Sequence, residues 1–498
     1  MNLKLSRRAV LGRAMTLAAA AALPSLRATP ARAANDAFAR LDATAQAALV
    51  RNGDVSASEL VDAAIDRIEA LDGTLNAVTT RLFERAREQA RGPLPEGPFT
   101  GVPYLIKDLY DLAGTPNTMG ARLFADNVST ADEPYVTRTL SSGVVVVGKS
   151  NTPEFGLLGT TESLLLGACR NPWNPAYTPG GSSGGAAAAV AAGMVPFAHA
   201  TDGGGSIRIP AACCGLFGLK PSRGRLDPKR RPDIDISVHH CVSRSVRDSA
   251  ALFAAAEYVA ADAELPPVGR VERPSERRLR IALDTRNLFG EAPHPEVEIA
   301  LQRAAKLCAD LGHQVEEAGP NIDGAAFVHH FISVWASFPA EPIAAARAQG
   351  LSPGDVLEPW TLALADEFDR RGPDALPAAV RNFDAMARVL DAFFQRYDVL
   401  LTPVLKAPPV AIGAQEPTMD YDSLYAAVTD WVSYTPLHNA AGTPAMSVPL
   451  GWSRDGLPIG VQFAAAHGAE RTLFELAYEL ESAAPWSDRW PDLAAGTG

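Results

Sequence analysis

Gly180-Gly181-Ser182-Ser183-Gly184-Gly185 is followed, after an alanine-rich stretch, by Asp202-Gly203-Gly204-Gly205-Ser206-Ile207-Arg208-Ile209-Pro210. Glycine lets a backbone turn sharply and approach a ligand with no side chain in the way. Two such turns, each carrying a hydroxyl, predict a site in which backbone N–H groups surround a nucleophile. The alanine-rich stretch between them predicts a helix. Residues 195–200 predict a strand leading into the second turn, with Pro196 limiting its start.

Outward from these turns, Val102-Pro103-Tyr104-Leu105-Ile106 reads as a strand with Lys107-Asp108 at its carboxyl end. Residues 143–148 are continuously β-branched between two glycines, as a strand covered on both faces should be. Residues 43–52 and 56–71 read as amphipathic helices, with Ser56 or Ser58 as the N-cap of the second, and 79–91 as a third helix. Charged helical patterns dominate 262–398, a region expected to shape a substrate entrance. Strand character returns at 399–403, 445–450 and 459–463, with Asp455-Gly456 as a hairpin turn. Strands alternating with helices predict an α/β fold, a single large domain over 34–498 with a mixed, mostly buried β-sheet covered by helices.

The 498 residues are 47% hydrophobic and 20% charged, ample for a large core. The net charge is −12, and the only basic run, Lys229-Arg230-Arg231, is too short for a nucleic-acid footprint. Nucleic acid is therefore not an expected partner. Ser6-Arg7-Arg8-Ala9-Val10-Leu11, the apolar run that follows it, and Ala31-Arg32-Ala33 have the three parts of a twin-arginine export signal, in order. Residues 1–33 are expected to be removed, leaving the mature chain in the periplasm or secreted. The apolar run is shorter than the ~20 residues needed to cross a bilayer, so no membrane insertion of the mature chain is expected. The five scattered cysteines favour neither a disulfide framework nor a zinc site, and read as small buried hydrophobes.

Gly180-Gly181-Ser182-Ser183-Gly184 matches the G-x-S-x-G nucleophile elbow, which requires a strand directly before the serine. Pro172, Pro175 and Pro179 precede it instead and remove ladder donors, so that reading is weak. A phosphate cradle also fails, for no Gly-Lys-Ser/Thr closes the turn. Ser206 has the better context, with Gly203, Gly204 and Gly205 supplying freely oriented N–H groups; the bland alternative is a serine that caps a helix. A serine nucleophile needs a base. Among nine histidines, His239 and His240 fall in a stretch read as irregular, His199 reads as a satisfied core residue, and His438 is a weak candidate. Lys107 ends an apolar strand, where burial would favour its neutral form and fit it to act as a general base; the bland alternative is an ordinary strand-end lysine reaching water.

Lys107, the Gly-Gly-Ser-Ser-Gly-Gly block and Asp-x-Gly-Gly-Ser-Ile-Arg-x-Pro together resemble the amidase signature family. The two serines stand 24 positions apart, as in the family pattern. Pro444-Ala445-Met446-Ser447-Val448-Pro449 and Gly456-Leu457-Pro458-Ile459-Gly460-Val461-Gln462 extend the resemblance, which runs from about Ser56 to Trp490. It implies a metal-free, cofactor-free amidohydrolase acting on a small-molecule amide. In such an enzyme Ser206 would be the nucleophile, Ser182 (after a cis Gly181–Ser182 bond) the proton shuttle, and Lys107 the base. Gly203, Gly204 and Gly205 would form the oxyanion hole, and Asp202 and Arg208 would brace the loop. Within the family, 195–225 and Ala484-Pro485-Trp486 are most similar to 6-aminohexanoate cyclic-dimer hydrolases, implying cyclic or linear aminohexanoate-type amides. Residues 320–345 diverge, and Trp335 and Phe338 are expected to line the pocket. An esterase or carbamate hydrolase on the same triad, and an amidotransferase-type subunit needing a partner, are the alternatives; a homodimer is left open.

Overall fold

The computed structural model describes residues 38–228 and 234–495. The export-signal reading and the Lys229-Arg230-Arg231 run lie outside the described residues. In chain order the strands begin with β1 (Val78–Arg81), β2 (Pro103–Lys107), β3 (Val145–Ser150), β4 (Glu162–Ser163) and β5 (Gly167–Ala168). Next come β6 (Phe197–Asp202), β7 (Phe217–Lys220), β8 (Val238–Ser243), β9 (Arg280–Leu283) and β10 (Gln314–Glu317). The last are β11 (Val399–Pro403), β12 (Ala445–Trp452) and β13 (Pro458–Ala464).

Eight of these form one mixed sheet in the order β10-β9-β11-β13-β12-β7-β8-β6. The three strands at the β10 end run parallel, and the rest pair antiparallel. The Asp455-Gly456 turn joins β12 to β13, with Gly456 at φ 78. A separate sheet, β1-β3-β2, carries Lys107 at the end of β2, opposite Ser150 of β3. Helices flank the sheets, giving a single α/β domain.

The helix Gly184–Ala191 is wholly buried in a core shared by Leu105, Val145 and Val147 of the small sheet and Ala198, Ala200 and Val242 of the large one. Its alanines let the two sheets approach closely. Gly185 shows how closely, because a Cβ there would strike the backbone of Asn151 and Ala77. The serine turn before this helix is thereby pressed between the Lys107 strand and β6. Over the far part of the large sheet, the helices Pro295–Asp310 and Glu470–Ala483 cover a second core built on β7, β9, β11, β12 and β13.

Three expectations need correction. Residues 79–81 are strand, pairing antiparallel with β3, and the helix begins only at Phe83. Thr79 and Thr80 are β-branched, and their pairing partner lies some seventy positions away, beyond any local pattern. His239 and His240 lie on β8, not in an irregular stretch. The 262–398 region is not purely helical, because β9 and β10 extend the large sheet. Gln314–Glu317 is an edge strand, mostly exposed, and it lacks the apolar signature of a covered strand.

Candidate active site

Lys107 is completely buried, and its Nζ donates to Ser182 Oγ at 2.7 Å and to Thr201 Oγ1 at 3.2 Å. Burial lowers its pKa to about 7, with the charge of Asp202 offsetting part of that shift. The amine is thus substantially neutral near physiological pH, as a general base must be. Its strand end is pinned by the Lys107 N–H, which donates to His199 Nδ1 at 3.3 Å. His199 Nε2 in turn meets His239 Nδ1 at 3.1 Å. The histidine pair therefore supports the strand, and His438 is occupied with Thr443 Oγ1 at 2.9 Å.

The Gly181–Ser182 peptide is cis. Ser183 ties this turn to β6: its Oγ donates to Thr201 O at 3.3 Å and accepts from the Thr201 N–H at 3.2 Å. Ser182 and Ser206, 3% and 7% exposed, open onto one cavity of about 550 Å³. Tyr110, Met119, Phe155, Gly203, Trp335 and Phe338 are among its walls. Ser206 also borders a second, apolar chamber of about 80 Å³, lined by Gly204, Phe331, Trp335, Trp360 and Val428 among others. Trp335 stands in the wall of both chambers and Phe338 in that of the larger.

The second glycine turn is built around Asp202, at the end of β6. Asp202 Oδ1 accepts from the Gly205 N–H at 2.7 Å, and Oδ2 accepts from the N–H groups of Ile207 and Arg208 at 3.3 and 3.4 Å. Of the three glycines expected to form the oxyanion hole, Gly205 is therefore the exception, since its N–H is spent on the loop. The N–H groups of Gly203, Gly204 and Ser206 meet no acceptor among the described residues. Gly205 is needed for shape. It sits at φ +137, and a Cβ there would collide with Thr435 Oγ1 and Ile209.

Arg208, wholly buried, holds Asp202 in a fork, Nε to Oδ2 at 2.9 Å and one terminal nitrogen to Oδ1 at 2.8 Å. Its remaining N–H groups reach Thr435 O at 2.9 Å, Gln462 Oε1 at 2.7 Å and Asn439 Oδ1 at 2.7 Å. All five guanidinium donors are satisfied, a pattern a lysine cannot reproduce. Burial alone would raise the Asp202 carboxyl, but the charge and hydrogen bonds of Arg208 outweigh it and hold it at about 2. Arg208→Met would strand this carboxylate, and unfolding in urea should show a loss of about 3–5 kcal/mol. A loss below about 1 kcal/mol, the range of an exposed pair, would remove the bracing role.

Thr201, Ser183, Thr435, Asn439 and Gln462 were missed by sequence reasoning. Thr201 and Ser183 adjoin motif residues and could have been suspected. Gln462 ends the 456–462 motif on β13, whereas Thr435 and Asn439 reach the loop from the start of and within the helix Pro436–Ala441, with no local signal.

Beneath the pocket wall lies a buried carboxyl pair. Glu154 Oε1 accepts from the Glu358 N–H at 2.8 Å and from Thr361 Oγ1 at 2.6 Å, while Glu358 Oε1 accepts from the Leu164 N–H at 2.7 Å. Burial raises Glu154 from 4.5 to about 7, and burial followed by the charge of Glu154 raises Glu358 to about 8, with Arg122 opposing both. The pair anchors the 154–157 turn to the helix Pro359–Arg371, whose Trp360 Nε1 also donates to Leu157 O at 3.0 Å. Their contribution to stability is complete below the unfolded-state value of 4.5. It is lost as pH rises through about 7 and 8, where the folded chain holds protons that the unfolded chain releases. Glu358→Gln, which keeps the acceptor for Leu164, should gain Tm over the parent by a margin that widens from about pH 5 to about pH 8 and then levels off. A constant margin would show that Glu358 is already charged.

A buried lysine beside two hydroxyls, facing a glycine turn with unclaimed N–H groups inside an α/β domain, has the parts of a serine acyl-transfer site. The chain belongs to the amidase signature family, whose model, described as Amidase, matches residues 59–474. It is 42% identical over 453 residues to AmiC of Mycobacterium tuberculosis (strain ATCC 25618 / H37Rv), which carries the name of an amidase, covering 90% of this chain and 95% of that protein. It is 37% identical to the 6-aminohexanoate-cyclic-dimer hydrolase of Paenarthrobacter ureafaciens, covering 91% and 96%. The structure of a 6-aminohexanoate cyclic dimer hydrolase complexed with substrate superposes with a TM-score of 0.84 at 34% identity, covering 91% of this chain and 99% of that one.

Proposed function

We propose that this amidase cleaves a small-molecule carboxamide through an acyl-enzyme on Ser206. The observation that carries the reading is the bond between a wholly buried, substantially neutral Lys107 and Ser182 Oγ, at the floor of a cavity that Ser206 shares. Ser206 Oγ attacks the carbonyl carbon and passes its proton to Ser182 Oγ, whose own proton moves to Lys107 Nζ. The carbonyl oxygen becomes an oxyanion held by the N–H groups of Gly203, Gly204 and Ser206, donors of the kind worth about 2.7–4 kcal/mol each. The C–N bond then breaks as Ser182 returns a proton to the leaving nitrogen, and Lys107 reprotonates Ser182. Water enters by the same relay and releases the acid. The likeness to cyclic-dimer hydrolases supports an aminohexanoate-type amide, and the cyclic form, with no free ammonium on its acyl arm, suits the two chambers that meet at Ser206.

A fluorophosphonate probe followed by peptide mass mapping tests the assignment. The adduct is expected on Ser206; an adduct on Ser182, or none, would overturn it. Residues 1–33 are proposed to be a twin-arginine signal that places the mature chain in the periplasm or outside. Changing Arg7 and Arg8 to lysine should hold the protein in the cytosolic fraction, and undiminished export would refute the signal.

A further inference from the structure

Ser206 stands where two chambers of unlike chemistry meet. The larger one is bordered by Ser182 and Thr201, the smaller by neither. The smaller chamber has no charged residue in its wall, and two of its few polar groups are already engaged: Thr429 Oγ1 donates to Tyr425 O at 2.7 Å, and Trp360 Nε1 to Leu157 O. The leaving nitrogen must lie within hydrogen-bond reach of the group that protonates it. If Ser182 is that group, the amine half of the substrate occupies the larger chamber. The acyl half, on the other side of the carbon bonded to Ser206, then extends into the smaller one.

We propose that the apolar chamber walled by Phe331, Trp335, Trp360 and Val428 is the acyl subsite, and that it selects short, uncharged acyl groups while the larger chamber accepts varied amines. This inference rests on the Ser206–Ser182 assignment above. The chamber's volume of about 80 Å³ compares with the roughly 10–15 Å³ that one enclosed water requires, which leaves room for on the order of six heavy atoms. A charged group carried into it would lose its water and meet no opposite charge in the wall. Neither restriction applies to the larger chamber, at about 550 Å³ and with Glu341 in its wall.

Two substrate series separate the halves. In the first, butyryl p-nitroanilide is compared with its succinyl and 4-aminobutyryl counterparts. In the second, butyryl 4-ethylanilide is compared with butyryl 4-(aminomethyl)anilide. The charged acyl groups are expected to lower kcat/KM by about a hundredfold or more, and the charged aniline by less than about tenfold. Equal penalties, a reversed order, or no turnover of either butyryl compound by enzyme that still labels on Ser206 would overturn the subsite assignment. Failure of the underlying mechanism looks different, because no butyryl adduct would then appear on Ser206 by intact mass, whatever the rates.

Discussion

Ser206→Ala should lower kcat by about 10⁵–10⁶-fold while leaving the chain folded, the scale of loss when a serine nucleophile is removed from a protease. Ser206 is small and 7% exposed, so deleting its hydroxyl opens little space. Alanine also keeps the backbone N–H, and the Asp202 bonds to Gly205, Ile207 and Arg208 do not involve the lost oxygen. The loop should therefore retain its shape, and the variant should bind substrate with near-normal affinity. Single-turnover kinetics and a thermal melt together check both halves. Wild-type rates would sink Ser206 as nucleophile, and collapse of the fold would show that the hydroxyl is structural.

Lys107→Met should cost about 10³–10⁴-fold in kcat/KM, the upper range for removing a general base. In the parent enzyme the active form is the neutral amine, so kcat/KM should rise with pH through about 7 and then level off. The variant should lack that rise. Stability carries the opposite sign from the Glu154–Glu358 pair. Burial lowers the Lys107 pKa from 10.5 to about 7, so between those values the unfolded chain holds a proton the folded chain lacks, and stability climbs with pH. Below about 7 the parent buries a charged amine, whereas methionine buries none. Lys107→Met should therefore melt at or above the parent's temperature near about pH 6. An unchanged pH–rate profile would count against Lys107 as base. A lowered melting temperature at that pH would show that the lysine is held as a stabilising cation.

Much of this site was legible in the chain. The two glycine-framed serines and the lysine at a strand end are local features, and their residue types limit what each can do. The reading went astray where tertiary partners decide. Gly203, Gly204 and Gly205 look interchangeable in the sequence, but Asp202 claims the N–H of Gly205 alone. Thr79 and Thr80 extended a helical pattern on paper, yet β3 was available to pair with them. The short edge strand Gln314–Glu317 was read as helical surroundings because exposed charged residues carry no two-residue alternation of burial.

By itself, the sequence determined the α/β class and the positions of the glycine turns, and its resemblance to the amidase signature family supplied the candidate nucleophile, relay and base. The first two follow from local backbone freedom and strand periodicity, which act over a few residues. Only the tertiary structure decided that Lys107 meets Ser182 across 75 positions of chain, that Arg208, besides its neighbour Asp202, finds acceptors on the distant Thr435, Asn439 and Gln462, and that Ser206 divides two unlike chambers. Burial depth, a shifted pKa and an unclaimed N–H depend on which surfaces pack together. That packing is a property of the whole core and is written in no single segment.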